Sequence, residues 1–354
     1  MPALPIRDLD HVFEHTGPGV WKALAGKRLL ITGGTGFVGT WLLESLLWAI
    51  EQLDLAASVV VLTRDPGRFR KRSPHLAEHP AVELLAGSVQ DFVFPAGEFP
   101  FVIHAATERH FEPGWAHPAS TFDLDVAATR RVLEFARSHG TRRLLFTSSG
   151  AVYGPQPSEM THIPEDYPGA PPTTGPGTAY GQAKRVSEFL CAMYARQFGF
   201  DAPIARLFAF VGPHLPLDAN YAVGNFIGDA IEGGPIRVKG DGTPYRSYLY
   251  AADLAVWLWT ILVRGESARP YNVGSGDAIA IGDLAKAVAR ATTNAPVEIA
   301  EKAVPGAPAA RYVPSVERAR TELGLQRVVP LDEGIRRTYE WARAGALSPI
   351  DAFI

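Results

Sequence analysis

Short runs of almost purely apolar residues alternate with longer amphipathic segments over the first two hundred positions of the chain. The apolar runs lie at 27–32, 58–63, 82–85, 101–104, 144–147 and 203–208. Between them, segments 37–53, 121–139 and 178–198 have the length and spacing of helices. Strands that are apolar at nearly every position are buried on both faces, so this alternation predicts an α/β fold with a doubly wound parallel sheet.

The chain changes character after position 151. Residues 154–177 contain seven prolines, which predicts a long ordered loop. The apolar run 254–263 is too short to cross a bilayer and is interpreted as a buried helix. The expected units, in chain order, are an N-terminal extension (1–26), a sheet domain (27–210, with the chain returning to the sheet near 250–275) and a smaller α/β lobe (211–249 and 276–354).

Composition narrows the class of partner. The 354 residues have a net charge of -3, so there is no positive field to attract nucleic acid or an anionic membrane surface. Cys191 is the single cysteine, and His110, His117 and His214 lack the spacing of metal ligands, so we expect neither a disulfide nor a metal site. The first residues also lack the apolar core of a signal peptide. We expect a cytoplasmic protein without a nucleic-acid or membrane partner.

Three glycines, Gly33, Gly36 and Gly39, separate the first predicted strand from the first predicted helix. One allows a tight turn, one lets the backbone approach a pyrophosphate, and one lets the helix pack closely on the strand. The free N–H groups of the helix N-terminus then face the phosphates. The pattern predicts a Rossmann-type dinucleotide site, whose turn consists of Gly33, Thr35, Gly36, Phe37, Val38 and Gly39.

The end of the second predicted strand bears on the choice between NAD and NADP. NAD enzymes place a carboxylate there for the ribose 2′-hydroxyl, whereas NADP enzymes place an arginine there for the 2′-phosphate. This strand ends in Thr63, which is followed by Arg64 and Asp65. Arg64 favours NADP, while a shift of one residue would bring Asp65 to the ribose and favour NAD.

Tyr180 and Lys184 are four residues apart in a predicted helix and therefore share one face. The predicted strand 144–147 leads into Ser148 and Ser149. A tyrosine hydroxyl can move a proton while hydride moves to or from a nicotinamide, and a neighbouring ammonium group stabilises its phenolate form. A serine hydroxyl can bind and orient the reacting oxygen. These residues indicate an oxidoreductase site.

The order of these motifs resembles that of the extended short-chain dehydrogenase/reductases, the NAD-dependent epimerase/dehydratase family that modifies nucleotide sugars. The resemblance extends over residues 27–340. Its motifs are the turn Gly33–Gly36–Gly39, His104-Ala105-Ala106, the segment SSGAVYG with Ser149, Tyr180-x-x-x-Lys184, and RSYLYAADLA from Arg246.

The resemblance implies that Ser149, rather than Ser148, acts with Tyr180 and Lys184. It also implies a homodimer through helices 121–139 and 178–198, and a nucleotide-diphosphate sugar as substrate. Segment 225–242 is similar to that of UDP-glucuronate decarboxylases. The further cofactor residues it implies are Ser88, Val89, Ala105 and Ala106, together with Tyr180 and Lys184. The substrate residues it implies are Thr107, Ser149, Asn225 and, for the diphosphate, Arg246 and Arg311.

The chain departs from the family at several positions. Gly150 and Ala151 stand where 4,6-dehydratases have an Asp-Glu pair and decarboxylases have a glutamate. Because neither side chain can transfer a proton, dehydration and decarboxylation are disfavoured. Asp125 replaces the asparagine that most family members have in this helix. Ser88 replaces an aspartate that meets adenine, and Ala209 replaces an asparagine that often contacts the substrate.

Two reactions at C4 of the sugar remain. In a 4-ketoreductase, NADPH gives hydride to a 4-keto sugar and Tyr180 donates the proton. In a 4-epimerase, retained NAD takes hydride and returns it to the opposite face. Arg64 favours the reductase, whereas SSGAVYG is more similar to the epimerases. A non-catalytic dinucleotide sensor is disfavoured, because Tyr180 and Lys184 are both present.

Overall fold

The computed structural model describes residues 3–107, 118–219 and 221–345. His110 and His117, and the last residues of the predicted lobe, lie outside these ranges. The strands, in chain order, are β1 (Arg28–Thr32), β2 (Ser58–Thr63), β3 (Val82–Ala86), β4 (Phe101–His104), β5 (Arg143–Ser149), β6 (Ile204–Leu207), β7 (Phe210–Val211), β8 (Ile236–Val238), β9 (Tyr245–Arg246), β10 (Leu249–Tyr250), β11 (Pro270–Val273), β12 (Ile279–Ala280), β13 (Val297–Ile299) and β14 (Arg311–Tyr312).

Helices cover both faces of this framework. They are α1 (Ile6–Thr16), α2 (Pro18–Leu24), α3 (Phe37–Leu53), α4 (Pro66–Arg72), α5 (Pro74–Ala77), α6 (Pro118–Ser138), α7 (Ala179–Phe198), α8 (Ala222–Ile231), α9 (Ala251–Arg264), α10 (Ile281–Ala291), α11 (Glu317–Leu323) and α12 (Leu331–Gly345). Short 3₁₀ turns lie at Gly150–Tyr153 and Pro176–Thr178.

Seven strands form one parallel sheet in the order β11-β6-β5-β4-β1-β2-β3. The order changes direction between β1 and β4, and a crevice opens there at the carboxyl ends of the strands. The predicted doubly wound parallel sheet is confirmed. The predicted return of the chain to the sheet near residue 270 is also correct, because β11 pairs with β6.

Successive residues of the central strands enter two separate cores, because strand side chains alternate between faces. Leu29 and Ile31 pack on the face covered by α3 and α9, and Leu30 packs on the other face. That second face is covered by α6 and α7. The run 254–263 lies within α9 and is almost wholly buried, as predicted.

The N-terminal extension forms two helices that join the first core. In α1 and α2 the apolar residues recur at helical spacing, and Val12, Trp21 and Leu24 are buried. The Trp21 ring lies 5.7 Å from that of Trp259 in α9. The hydroxyl of Tyr250 donates a hydrogen bond to Asp8 at 2.8 Å. The extension is therefore an integral part of the packed molecule rather than a simple lead into β1.

Smaller strands in the second half of the chain form separate short sheets. Strand β9 pairs with β14 in parallel and with β12 in antiparallel fashion. This ladder brings residue 312 back over the end of β5. No helix within the described ranges is long and apolar enough to cross a membrane.

Candidate active site

The glycine turn connects β1 to α3 at the crevice. Gly33 has a φ of 72°, and an added Cβ there would lie 2.6 Å from backbone atoms of Ala105 and Ala106. A Cβ on Gly39 would lie 2.2 Å from the Gly33 carbonyl oxygen. At Gly36 the nearest atom would be 3.5 Å away, an ordinary contact. The fold itself therefore requires Gly33 and Gly39, whereas the space at Gly36 is open to a ligand.

The residues of the turn fit the pyrophosphate of a dinucleotide. Helix α3 begins after Gly36 with no side-chain cap and no acidic residue in its first turn, so the N–H groups of its first turn can bind an anion. Thr35, Phe37 and Val38 lie in this same turn. Its shape is held by the Arg72 guanidinium of α4, which donates a hydrogen bond to the carbonyl oxygen of Thr35. Sequence reasoning did not identify Arg72.

The carboxylate of Asp65 is engaged at the start of α4. Its Oδ1 accepts a hydrogen bond from the Arg68 backbone N–H at 2.8 Å, and Asp65 is the N-cap residue of the helix. The Asp65 backbone N–H points to the Thr63 hydroxyl at 3.4 Å. Arg64 is exposed at the carboxyl edge between them. The sequence left both Arg64 and Asp65 as candidates for the ribose, and the structure uses the Asp65 carboxylate as a helix cap.

The other residues expected around a dinucleotide lie at the carboxyl ends of neighbouring strands. Ser88 and Val89 follow β3 after Gly87, whose φ is 156°. Ala105 and Ala106 follow β4 and contact the glycine turn, where the Ala106 N–H donates to the Thr32 hydroxyl at 3.3 Å. Both pairs are half-buried. The structure thus brings these predicted cofactor residues to one edge of the sheet.

Tyr180 and Lys184 lie on the first turns of α7, facing the end of β5. Lys184 is 3% exposed, and its Nζ donates a hydrogen bond to the carbonyl oxygen of Thr147 at 3.2 Å. The same Nζ lies 5.6 Å from the centre of the Tyr180 ring. The buried ammonium group therefore bridges the strand end and the tyrosine, as the four-residue spacing predicts.

The proline-rich loop fixes where α7 begins. Gln182 donates a hydrogen bond to the carbonyl oxygen of Pro171 at 3.0 Å, and Arg185 donates to that of Val152, also at 3.0 Å. A Cβ on Gly181 would lie 2.7 Å from the carbonyl oxygen of Ala151. The helix thus packs directly on the 3₁₀ turn that follows Ser149, so serine and tyrosine are held in one rigid unit.

The two serines at the end of β5 have different surroundings. Ser148 donates a hydrogen bond to Glu188 at 2.5 Å, and Glu188 also forms an ion pair with Arg206 at 2.7 Å. Ser149 is the N-cap of the 3₁₀ turn, and its Oγ accepts a hydrogen bond from the Ala151 N–H at 3.2 Å. Ser148 therefore belongs to a structural network with Glu188 and Arg206, and the Ser149 hydroxyl is not part of it.

Asp125 of α6 is buried close to this site. Both of its carboxylate oxygens lie within 3.1 Å of the Thr107 hydroxyl, which donates to them. One turn further along α6, the Thr129 hydroxyl contacts Nε2 of His104 at 3.2 Å, while Nδ1 of His104 contacts the Thr32 hydroxyl at 2.8 Å. Burial, together with the Lys184 charge, lowers the pKa of His104 to about 3. His104 is thus a neutral, hydrogen-bonded core residue.

Of the predicted substrate residues, Thr107 and Ser149 lie at the ends of β4 and β5, and Asn225, Arg246 and Arg311 lie on the smaller lobe. Asn225 is half-buried on α8. The Arg246 guanidinium lies 5.9 Å from the centre of the Tyr312 ring, and the Arg311 guanidinium lies 4.3 Å from that of Tyr245. Because successive strand residues alternate between faces, Arg246 and Tyr312 share one face of the β9–β14 pair while Arg311 lies on the other. The two arginines contact different rings and are not brought together.

Tyr312 is a residue of the site that sequence reasoning missed. A Cβ on Gly150 would lie 2.6 Å from the Tyr312 hydroxyl oxygen, so this hydroxyl lies beside the residue that follows Ser149. Burial raises the pKa of the Tyr312 hydroxyl, and the neighbouring Tyr180 raises it further. The only signal in the sequence was its position next to Arg311, which does not indicate contact with residue 150.

A glycine turn at β1, followed by serine, tyrosine and lysine side chains at the carboxyl edge of a parallel sheet, defines the class of Rossmann-type dinucleotide-binding proteins. The model of the NAD-dependent epimerase/dehydratase family matches residues 29–274 of the chain. The chain belongs to this family, as its motifs predict.

Relatives with known names or structures span most of the chain. UDP-glucuronic acid decarboxylase 1 of Xenopus tropicalis is 30% identical over 341 residues, which are 96% of this chain and 78% of the relative. The structure of the UDP-glucose 4-epimerase of Thermotoga maritima with UDP-glucose matches with a TM-score of 0.75 and 22% identity, over 90% of this chain and 100% of that one. The Bordetella bronchiseptica enzyme WbmF in complex with NAD⁺ and UDP gives a TM-score of 0.74 and 23% identity, over 92% and 95%. At these identities the two structures share the fold.

Proposed function

We propose that the protein is an NAD(P)-dependent enzyme that transfers hydride at C4 of a nucleotide-linked sugar, and that it works as a 4-ketoreductase. The observation that carries this proposal is the position of Lys184, buried between the carbonyl oxygen of Thr147 and the ring of Tyr180. Ser149 lies two residues after Thr147, at the end of β5, and this strand packs against α7, the helix of Tyr180 and Lys184. The names of relatives that act on UDP sugars support the substrate class.

Each residue of the site has a distinct role in this reaction. A nicotinamide dinucleotide held by the glycine turn would supply the hydride for the sugar carbon. The Tyr180 hydroxyl gives its proton to the reacting oxygen, Lys184 stabilises the phenolate that remains, and Ser149 donates a hydrogen bond that orients the oxygen. Arg246, and by resemblance Asn225, bind the diphosphate and the sugar, whereas Arg311 lies on the other face of the β9–β14 pair and is not assigned to the diphosphate.

Decarboxylation and dehydration need a further proton-transferring side chain next to Ser149. Gly150 and Ala151 have none, and the space beside Gly150 is taken by the Tyr312 hydroxyl. Burial raises the pKa of that hydroxyl and keeps it protonated, so it is a poor base. The chain is similar to UDP-glucuronic acid decarboxylases, but these two positions favour simple hydride transfer.

We propose NADPH as the preferred cofactor. Arg64 lies at the end of β2, and Arg68 and Arg72 follow on α4, so positive charge gathers where a 2′-phosphate would bind. The Asp65 carboxylate, which would repel that phosphate, is used to cap α4. Complexes of structural neighbours contain NAD⁺, which supports dependence on NAD, so the preference for NADPH rests on the arginines alone.

The alternative is a nucleotide-sugar 4-epimerase that retains NAD. The segment SSGAVYG and the fold shared with a UDP-glucose 4-epimerase favour it. The two reactions use the same residues, and they differ in whether the dinucleotide leaves after each turnover.

The deciding experiment is to denature the purified protein and identify any released dinucleotide with its stoichiometry. We expect little bound dinucleotide, tighter binding of added NADPH than of NADH, and reduction of UDP-linked 4-keto sugars. Near-stoichiometric NAD would instead support the epimerase. Tyr180→Phe should abolish turnover while leaving dinucleotide binding intact, and unchanged turnover in that variant would refute the proposed chemistry.

A further inference from the structure

Asp125 of α6 lies near the end of α7 that carries the site residues. Helices α6 and α7 both run from the carboxyl edge of the sheet to its amino edge, because each connects two parallel strands. They are joined where the Thr129 hydroxyl contacts that of Ser187 at 2.9 Å. In α7, Lys184 lies one turn before Ser187. In α6, Asp125 lies one turn before Thr129, so it is displaced toward the carboxyl edge in the same direction as Lys184.

The Thr107 hydroxyl links this buried carboxylate to the carboxyl edge of the sheet. Its oxygen lies 3.0 and 3.1 Å from the two Asp125 carboxylate oxygens, to which it donates. Asp125 is 4% exposed, whereas Thr107 is half-buried just beyond the end of β4. The last paired residues of β4 and β5 are His104 and Phe146. Thr107 and Ser149 each lie three residues beyond this pair, so both are at the edge where the crevice opens.

The hydrogen bonds to Asp125 fix what the Thr107 hydroxyl can offer a ligand. A threonine hydroxyl has one proton to donate and two lone pairs that accept. The carboxylate takes the proton, and no group within the described ranges donates to the Thr107 oxygen. The lone pairs are therefore what remains for the crevice. A sugar hydroxyl can donate to them, whereas a keto or carboxylate oxygen would bring two acceptors together.

The type of residue at position 125 sets this polarity. Most family members have an asparagine there, and the NH₂ group of an asparagine side chain donates hydrogen bonds. Beside an asparagine, the Thr107 oxygen can accept from the amide and turn its own proton to a ligand. Beside the Asp125 carboxylate, which only accepts, the proton is held away from the ligand.

We propose that Asp125 and Thr107 form a specificity-determining pair, in which Asp125 holds the Thr107 proton and the Thr107 oxygen accepts a hydrogen bond from a hydroxyl group of the sugar. The choice of a sugar as ligand rests on the proposed function, whereas the polarity of the pair rests on the hydrogen bonds to Asp125. The pair favours a sugar with a free hydroxyl at this point over one with a keto or carboxylate group there.

The test is a set of isothermal titrations at saturating NADP⁺ or NAD⁺. The ligands are UDP-glucose and its derivatives with fluorine in place of the hydroxyl at C2, C3 or C6, because fluorine has no proton to donate. For the wild type we expect one derivative to bind about tenfold more weakly than UDP-glucose, as for loss of one hydrogen bond. In Thr107→Val this fluorine penalty should disappear. In Asp125→Asn it should shrink to about threefold or less, because Thr107 can then donate.

Two variants serve as controls. Asp123→Asn changes an exposed carboxylate of the same helix and should keep the wild-type pattern of affinities. Thr107→Ser keeps the hydroxyl and should keep the pattern as well, which separates loss of the hydroxyl from damage to the fold.

The outcomes distinguish this inference from the proposed function. For every derivative, a fluorine penalty that is equal in the wild type and in either Thr107→Val or Asp125→Asn would overturn the inference alone. A penalty that depends on both residues, in a protein that reduces no UDP-linked 4-keto sugar, would support the pair and count against the proposed reaction. A protein that binds neither UDP-glucose nor UDP would overturn both.

Discussion

At the scale of single residues, the three glycines of the β1–α3 turn have different physical roles. Gly33 and Gly39 are required by close backbone contacts within the chain, at 2.6 Å and 2.2 Å from a Cβ. Gly36 has only an ordinary contact at 3.5 Å. The fold thus requires glycine at positions 33 and 39, whereas at position 36 only a bound ligand would require it.

This difference predicts opposite effects of two alanine substitutions. Gly39→Ala should destabilise the protein by about 1–3 kcal/mol, because the methyl group overpacks the backbone of the turn. Gly36→Ala should fold with nearly unchanged stability, yet bind NADPH at least about tenfold more weakly, because the methyl group enters the space for the pyrophosphate. Urea unfolding and dinucleotide titration measure the two effects. Normal NADPH affinity in Gly36→Ala would show that the dinucleotide does not approach this position.

His104 predicts a pH dependence of stability. Its pKa is lowered to about 3 in the folded protein by burial and by Lys184, against about 6.5 in an unfolded chain. Below pH 6.5 the unfolded chain therefore takes up a proton that the folded protein does not, and stability is lost as the pH falls toward 3. Above pH 6.5 the imidazole is neutral in both the folded and the unfolded chain, so this loss of stability is absent.

Replacing the ring should remove that contribution. In His104→Gln the unfolding free energy should fall less steeply between pH 6.5 and 5 than in the wild type, by about 1.4 kcal/mol per pH unit. Urea unfolding at several pH values measures the slopes. His162→Gln, which replaces an exposed histidine, is the control and should follow the wild type. Parallel curves for His104→Gln and the wild type would contradict a buried neutral imidazole.

At the scale of elements, helix α4 decides how the end of β2 is used. Its N-cap takes the Asp65 carboxylate, and its last turn sends Arg72 to the carbonyl oxygen of Thr35 in the phosphate turn. This seven-residue helix thus takes up the Asp65 carboxylate, so that Arg64 would be the charge that faces a ribose at this edge. It also supports the glycine turn. Its basic last turn of Arg70, Lys71 and Arg72 adds to the positive potential.

Arg64→Ser should therefore weaken binding of NADPH by about tenfold or more, which corresponds to loss of one charged hydrogen bond, and leave NADH binding nearly unchanged. Asp65→Ala is the matched control beside it. It should cost about 1 kcal/mol of stability through the lost cap without changing the preference between the two dinucleotides. Isothermal titration with each dinucleotide measures this ratio, and a selective loss of NADH affinity in Asp65→Ala would show that the carboxylate binds the ribose.

At the scale of the whole molecule, helix α7 leaves large apolar side chains outside the core. On α7, Phe189 is 61% exposed and Met193, one turn later on the same face, is 40% exposed. Exposed apolar surface of this kind is typical of an interface. We propose that a second copy of the chain covers this face, which agrees with the homodimer that the sequence motifs predict.

Phe189→Asp should convert a dimer to a monomer at micromolar concentration, because it places a charge in the apolar contact. Analytical ultracentrifugation measures the change. Val304→Asp, at a side chain that is 69% exposed on the smaller lobe, is the control and should leave the mass unchanged. A wild-type protein that sediments as a monomer would refute the proposed interface.

The sequence by itself determined the elements whose physical causes are local. The bounds of α3, β2, β4 and β11 agree with the predicted ones, because helix and strand spacing are read from neighbouring residues. The glycine turn and the Tyr180–Lys184 face follow for the same reason. The order of these features along the chain predicted both the family and the parallel sheet.

Only the tertiary structure decided which distant residues meet. The sequence left both Arg64 and Asp65 as candidates for the ribose, and only the fold shows the Asp65 carboxylate capping α4. The leucine, valine and tryptophan side chains at helical spacing in the first 24 residues are part of the core because they pack against α9. The Tyr312 hydroxyl lies against Gly150, 162 positions earlier in the chain, and no local spacing links the two. Their contact exists because the chain returns through β9 and β14, and because a glycine at position 150 leaves room for a hydroxyl from elsewhere.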